Sequence, residues 1–156
     1  MKIKFIFSIL LSIIIGYLFG QILFNQYNNR VIDVFNEKNT IYFLQQGVYS
    51  NKETMETNTE SINNYIYVKK NNHYKVYVGI TGDSDNAEKL KEIFVNMGND
   101  IYVKEENISN LEFIETLKQY DNLLKQTSTD TTSIDDILMI EKQVLSKYEE
   151  LVLKNE

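Results

Sequence analysis

The sequence predicts an α+β fold. A β-α-β-β-α-β unit forms one four-stranded antiparallel sheet with two helices on one face. A membrane-spanning helix precedes it and C-terminal helices follow. Three observations lead there. The stretch "YKVYVGIT" (74–81) repeats the plan of "YFLQQGVYS" (42–50): a tyrosine, a strand-like alternation, a glycine. The tetrapeptide "IYVK" occurs at 66–69 and again at 101–104. Between glycine and tetrapeptide, each copy carries a helical stretch opened by polar capping residues.

The first element is the segment 1–24. Lys2 and Lys4 precede a run with no charged residue before Arg30. Residues 3–24 suffice to cross about 30 Å of hydrocarbon at about 1.5 Å per residue. No small-x-small site follows the run, so it is expected to remain as an uncleaved signal anchor. The flanking lysines place the N-terminus in the cytoplasm and the rest outside, a single-pass cell-membrane topology. Ser8, Ser12, Gly16 and Gly20 recur every four residues. They share one helix face, which offers a homodimer contact through Gly16 and Gly20. Residues 25–39 form a polar linker.

The predicted globular unit spans 40–106. A strand at 41–47 is followed by Ser50-x-x-Glu53, a capping box opening a helix to about residue 63. That helix is poor in apolar residues, with Met55 and Ile62 nearly all it offers a core. Residues 65–70 are the second strand and "KKNNHY" the turn into the third, 74–80. Ser84 or Asp85 caps a helix carrying Ala87, Leu90, Ile93, Phe94 and Met97 on one side, and Gly98 ends it. Residues 101–104 close the sheet.

Strand alternation sorts the side chains. Leu44, Ile66, Val68, Val76, Val78, Ile101 and Val103 are the expected core. Phe43, Gln45, Tyr67, Lys69, Lys75, Tyr77, Tyr102 and Lys104 are expected on the opposite, open face. The tail, 107–156, is acidic and helical. Ser109-x-x-Glu112 opens a run with Leu111, Ile114, Leu117 and Leu124. Ser133-x-x-Asp136 opens another with Ile137, Val144, Tyr148 and Leu151. Both stripes need a partner surface: each other, the sheet domain, or a second chain.

Composition narrows the function. There is no cysteine, so disulfides and thiolate metal sites are excluded. The net charge of −6 argues against nucleic acid as a partner. The acidity lies beyond residue 104, where 12 acidic face 5 basic side chains, a net −7 against +1 for the rest of the chain. The one histidine, His73, falls in a turn and supplies no catalytic or zinc constellation. No catalytic residue, cofactor or metal site is expected.

With these residues in place, the chain resembles the SPOR family, peptidoglycan-binding modules of bacterial cell-division and sporulation proteins. The resemblance rests on "LQQGVYS" and "YKVYVGIT" in that order and spacing, and covers about 40–105. It departs from the family pattern at Gln46, Val48 and Thr81. It implies binding of peptidoglycan glycan strands that lack stem peptides, on the open sheet face. Gln45 and Lys75 fall at the family's exposed polar and basic positions, and Gly47 and Gly79 at its strand-end glycines. Tyrosine rings suit the C–H faces of sugars, and a glutamine both donates to and accepts from hydroxyl and acetamido groups. The rival expectation is a membrane-tethered protein–protein interaction module of the envelope, acting through the tail helices and sheet.

Overall fold

The computed structural model describes residues 40–127 and 133–154. The anchor expected at 1–24, its Gly16/Gly20 face and the 25–39 linker lie outside the described residues. Among those described, no helix is long and apolar enough to cross a membrane.

Eight regular elements follow in order: β1 (Thr40–Tyr49), α1 (Lys52–Thr59), β2 (Ile66–Lys70), β3 (His73–Thr81), α2 (Ser84–Asn96), β4 (Tyr102–Asn107), α3 (Leu111–Gln126) and α4 (Ile134–Tyr148). A π-helical turn, Glu149–Leu153, ends the described chain. The four strands form one antiparallel sheet in the order β2-β3-β1-β4. The α+β class and the doubled β-α-β plan therefore hold.

Local chemistry sets the boundaries. Asn51, not Ser50, caps α1, its side chain accepting the Thr54 N–H at 2.8 Å. Asp83 caps α2 by accepting from Asp85 and Asn86 N–H, one residue before the expected Ser84 and two before Asp85. Asn110 caps α3 through the Phe113 N–H at 2.9 Å. In each case the residue just before the first helical turn supplies the oxygen that the orphan amides need. Gly98 sits at φ +87° after α2, a left-handed conformation that glycine adopts without penalty.

The sheet is covered on both faces, not one. On the first face Leu44, Val78 and Ile101 pack with Leu90, Ile93 and Phe94 of α2. On the other, Ile41, Phe43, Ile66, Tyr77 and Ile80 pack with α3 and α4 through Phe113, Ile114, Leu117, Val144, Leu145 and Tyr148. Leu124 of α3 and Ile137 of α4 also reach the first cluster, so the tail joins the two cores. Each such side chain gains about 1.5–3 kcal/mol on leaving water. The tail thus supplies seven of the twelve buried residues on this second face.

The hairpin between β2 and β3 decides which residues share a face. Asn71 and Asn72 both adopt positive φ, 50° and 62°. Such a two-residue turn matches the twist of the strands it joins. It pairs Lys70 with His73, and hence Tyr67 with Val76 and Ile66 with Tyr77. The expected core set is accordingly split. Ile66 and Val68 lie with Tyr77 against the tail helices, whereas Leu44, Val78 and Ile101 lie against α2.

Candidate functional site

The eight residues expected on an open sheet face do not form one surface. Phe43, Gln45 and Tyr77 are 0%, 8% and 3% exposed. The Phe43 ring meets Tyr77 edge-on at 5.0 Å and Tyr148 of α4 at 5.3 Å. The expectation that these three are open to solvent is corrected: the tail's apolar stripes find their partner here. The Tyr77 hydroxyl donates to Glu106 at 3.4 Å. Burial first, then the Glu106 carboxylate, raises the tyrosine well above its ordinary range.

Lys75 is half-buried on the same side as Tyr77. Tyr102 and Lys104 stand exposed on the edge strand β4, opposite Gln45 and Phe43. Tyr67 and Lys69 point the other way, because hairpin register pairs them with Val76 and Tyr74. There they join a residue outside the expected set. The Tyr74 ring lies 5.8 Å from Tyr67, and the Lys69 ammonium sits 5.3 Å over Tyr74. Lys52 of α1 stands near both rings: Glu56 raises its ammonium most, and the two tyrosines add to it. The result is an accessible tyrosine–lysine cluster in which Tyr67 is 41% exposed.

The two strand glycines serve close approach. A Cβ on Gly79 would meet the Glu141 carboxylate at 3.0 Å and Leu44 at 3.5 Å. A Cβ on Gly47 would lie within 2.9 Å of the Tyr49 ring. Between them the β1–β3 register shifts twice, passing over Val78 and then Gln46. Each passed residue is an inserted one that bends its strand.

Two buried acids went unnoticed in the sequence. Asp121 of α3 accepts from the Thr81 hydroxyl, from Gly82 N–H at 2.9 Å and from Asn86 Nδ2 at 3.3 Å. Burial raises its carboxyl despite these bonds. Glu141 of α4 is 1% exposed and accepts the Ile80 N–H at 3.0 Å. Desolvation pushes its carboxyl up to about 8, the Asp121 charge adding and the Ile80 bond opposing. Their only sequence signal was position. Glu141 lies four residues after Ile137 and Asp121 four after Leu117, both on the buried stripe of an amphipathic helix. Among the described residues, no group of three His, Cys, Asp or Glu could hold a metal ion.

Comparison with protein-family models, with curated proteins and with solved structures finds no match.

Proposed function

We propose that this chain is a membrane-anchored, non-catalytic recognition module on the outer side of a bacterial membrane, whose ligand is the glycan strand of peptidoglycan. The observation that carries the reading is the Tyr67–Tyr74–Lys69 cluster with Lys52 beside it. Two flat rings with polar tips fit sugar faces. Two ammonium groups fit carboxylates carried on a glycan whose peptides have been removed. The doubled β-α-β plan and its two glycine-ended motifs support the same reading by resemblance. The membrane anchor is residues 1–24.

The site so proposed is smaller than the sheet face and lies on the side of Tyr67. Tyr102 and Lys104 would form a second, separate contact along β4. A second reading is favoured by the sealing of Phe43 and Tyr77 under the tail. On that reading the module recognises another envelope protein through the outer surfaces of α3 and α4.

Co-sedimentation of the detergent-solubilised full chain with amidase-treated sacculi tests the two. The glycan reading expects binding by the parent and its loss in Tyr67→Ala/Tyr74→Ala with thermal stability retained. A parent that never sediments with sacculi would overturn it and leave the protein-partner reading.

A further inference from the structure

A cleft lies between the 61–64 loop, the end of α2 and the start of α4. It encloses about 370 Å³ out to its open mouth, of which about 20 Å³ admits the centre of a water-sized group. Ile62, Val78, Phe94 and Leu138 form apolar walls, and Asn63, Asn64 and Asn99 line it with amides. Glu141 also lines it and is its most deeply buried polar residue. The Glu141 carboxylate is half committed. Oε2 takes the Ile80 N–H, which fixes the group against β3. Oε1 is buried and has no hydrogen-bond partner among the described residues. A buried polar atom left unpaired is costly, so once the carboxyl is ionised Oε1 is an unfilled acceptor for a donor entering from the cleft.

We propose that this cleft binds a primary ammonium group carried on an aliphatic stem, with Glu141 as its counter-ion. The chemistry separates the choices. The charge acting on Glu141 from nearby is that of Asp121, which is negative and favours a cation. Calcium or magnesium would need about six oxygen ligands, and apolar walls beside a single carboxylate do not supply them. A quaternary ammonium has no N–H for Oε1 and needs several aromatic faces. The cleft offers Phe94 alone. A primary ammonium has three donors and is close to water in size. One donor meets Oε1, the others meet the asparagine carbonyls, and the methylene stem lies along the apolar walls.

A neighbouring hollow shares Asn63 and Asn64 and is bounded by Lys142, Ser146 and Glu149 of the tail. It gives room for whatever the ammonium is attached to. The ligand class is therefore an alkylamine, free or as a lysine side chain. None of the tyrosine–lysine cluster takes part, so the inference stands apart from the glycan reading.

Affinity should depend on pH. Asp121 is the ionisable group acting on Glu141. The residues lining the cleft from the 61–64 loop, from β3 and from α2 and its C-terminal turn carry no ionisable side chain. In the free protein Glu141 keeps its proton to about pH 8. A cation must displace it, so binding tightens with rising pH until the amine itself deprotonates near about 10.4.

The test titrates ¹⁵N-labelled full-length protein in detergent with n-butylammonium, with tetramethylammonium, and with Nα-acetyl-lysine methylamide. Expected results are n-butylammonium binding that moves the Ile80 amide resonance, tightens at least about tenfold from pH 6 to 9, and weakens at least about tenfold in Glu141→Gln. Tetramethylammonium should not move that resonance. Tighter binding of the lysine amide assigns a lysyl side chain, and equal binding a free amine. Should Glu141→Gln fail to fold, Leu138→Trp, which crowds the cleft from a half-exposed position, must abolish binding instead. No shift at Ile80 at pH 9, or binding indifferent to both variants, overturns the proposal.

Discussion

Glu141 on α4 accepts the backbone N–H of Ile80 on β3 at 3.0 Å. β2 pairs with β3 only as far as Tyr77, so beyond that point β3 has lost its outer neighbour. An amide left on a strand edge must find an acceptor if it is buried. The tail helix supplies one, and Gly79 leaves the carboxylate room to approach. Asp121 does the same for the next two residues, accepting from the Thr81 hydroxyl and the Gly82 N–H. These two acids fasten α3 and α4 to the end of the strand.

Glu141 makes stability depend on pH. Its folded-state pKa is raised by desolvation from an ordinary 4.5 to about 8. Between those values the unfolded chain has released the proton and the folded chain retains it. Stability is therefore greatest below about pH 4.5 on this account, falls as pH rises to about 8, and levels off beyond. Glu141→Gln keeps an acceptor for Ile80 and removes the titration. The difference in melting temperature between parent and variant should widen in the variant's favour from pH 5 to 8. A constant difference would show that Glu141 does not hold its proton.

Tyr77→Ala should be strongly destabilising. The ring is buried against Phe43, and its cavity would open between sheet and tail. Loss of a buried aromatic costs about 3–5 kcal/mol. Urea unfolding measures it. Tyr67→Ala, at an exposed position, should cost less than about 1 kcal/mol, and a similar cost for the two would mean that the tail does not cover Tyr77.

Ending the chain after Asn110 should prevent stable folding. It uncovers Phe43, Ile66, Tyr77 and Ile80 and removes their seven buried apolar partners beyond residue 110. At about 1.5–3 kcal/mol for each side chain, the loss rivals the whole stability of a small domain, about 5–15 kcal/mol. The expected readout is strong binding of a hydrophobic dye and no cooperative melt. A cooperative melt with little dye binding would show that the sheet domain stands alone.

The hairpin turn gives a further check. Asn72 sits at φ 62°. A β-branched residue is poorly tolerated there, so Asn72→Val should cost about 1–3 kcal/mol. Asn72→Gly should change stability by less than about 1 kcal/mol, since glycine takes this conformation freely. Equal effects of the two in thermal melts would remove the turn as the source of register.

Element types and their order were legible in the sequence, because alternation, helical spacing and capping residues are local signals. "YFLQQGVYS" and "YKVYVGIT" announced the doubled unit, and Met55 and Ile62 are both buried as expected. The tail stripes were equally visible in Ile114, Leu117, Ile137 and Val144. Strand parity was also within reach: a two-residue Asn71–Asn72 loop pairs Lys70 with His73 and so sends Tyr67 and Tyr77 to opposite faces. What no local pattern could decide is the destination of the tail. An apolar stripe states that a surface will be buried and not which one. Only the packed chain brings Tyr148 to Phe43 and Glu141 to Ile80, across about a hundred and about sixty residues of sequence, closing the face that alternation alone leaves open. That choice rests on long-range burial and on the unpaired edge of β3, both of which exist only once the sheet has formed.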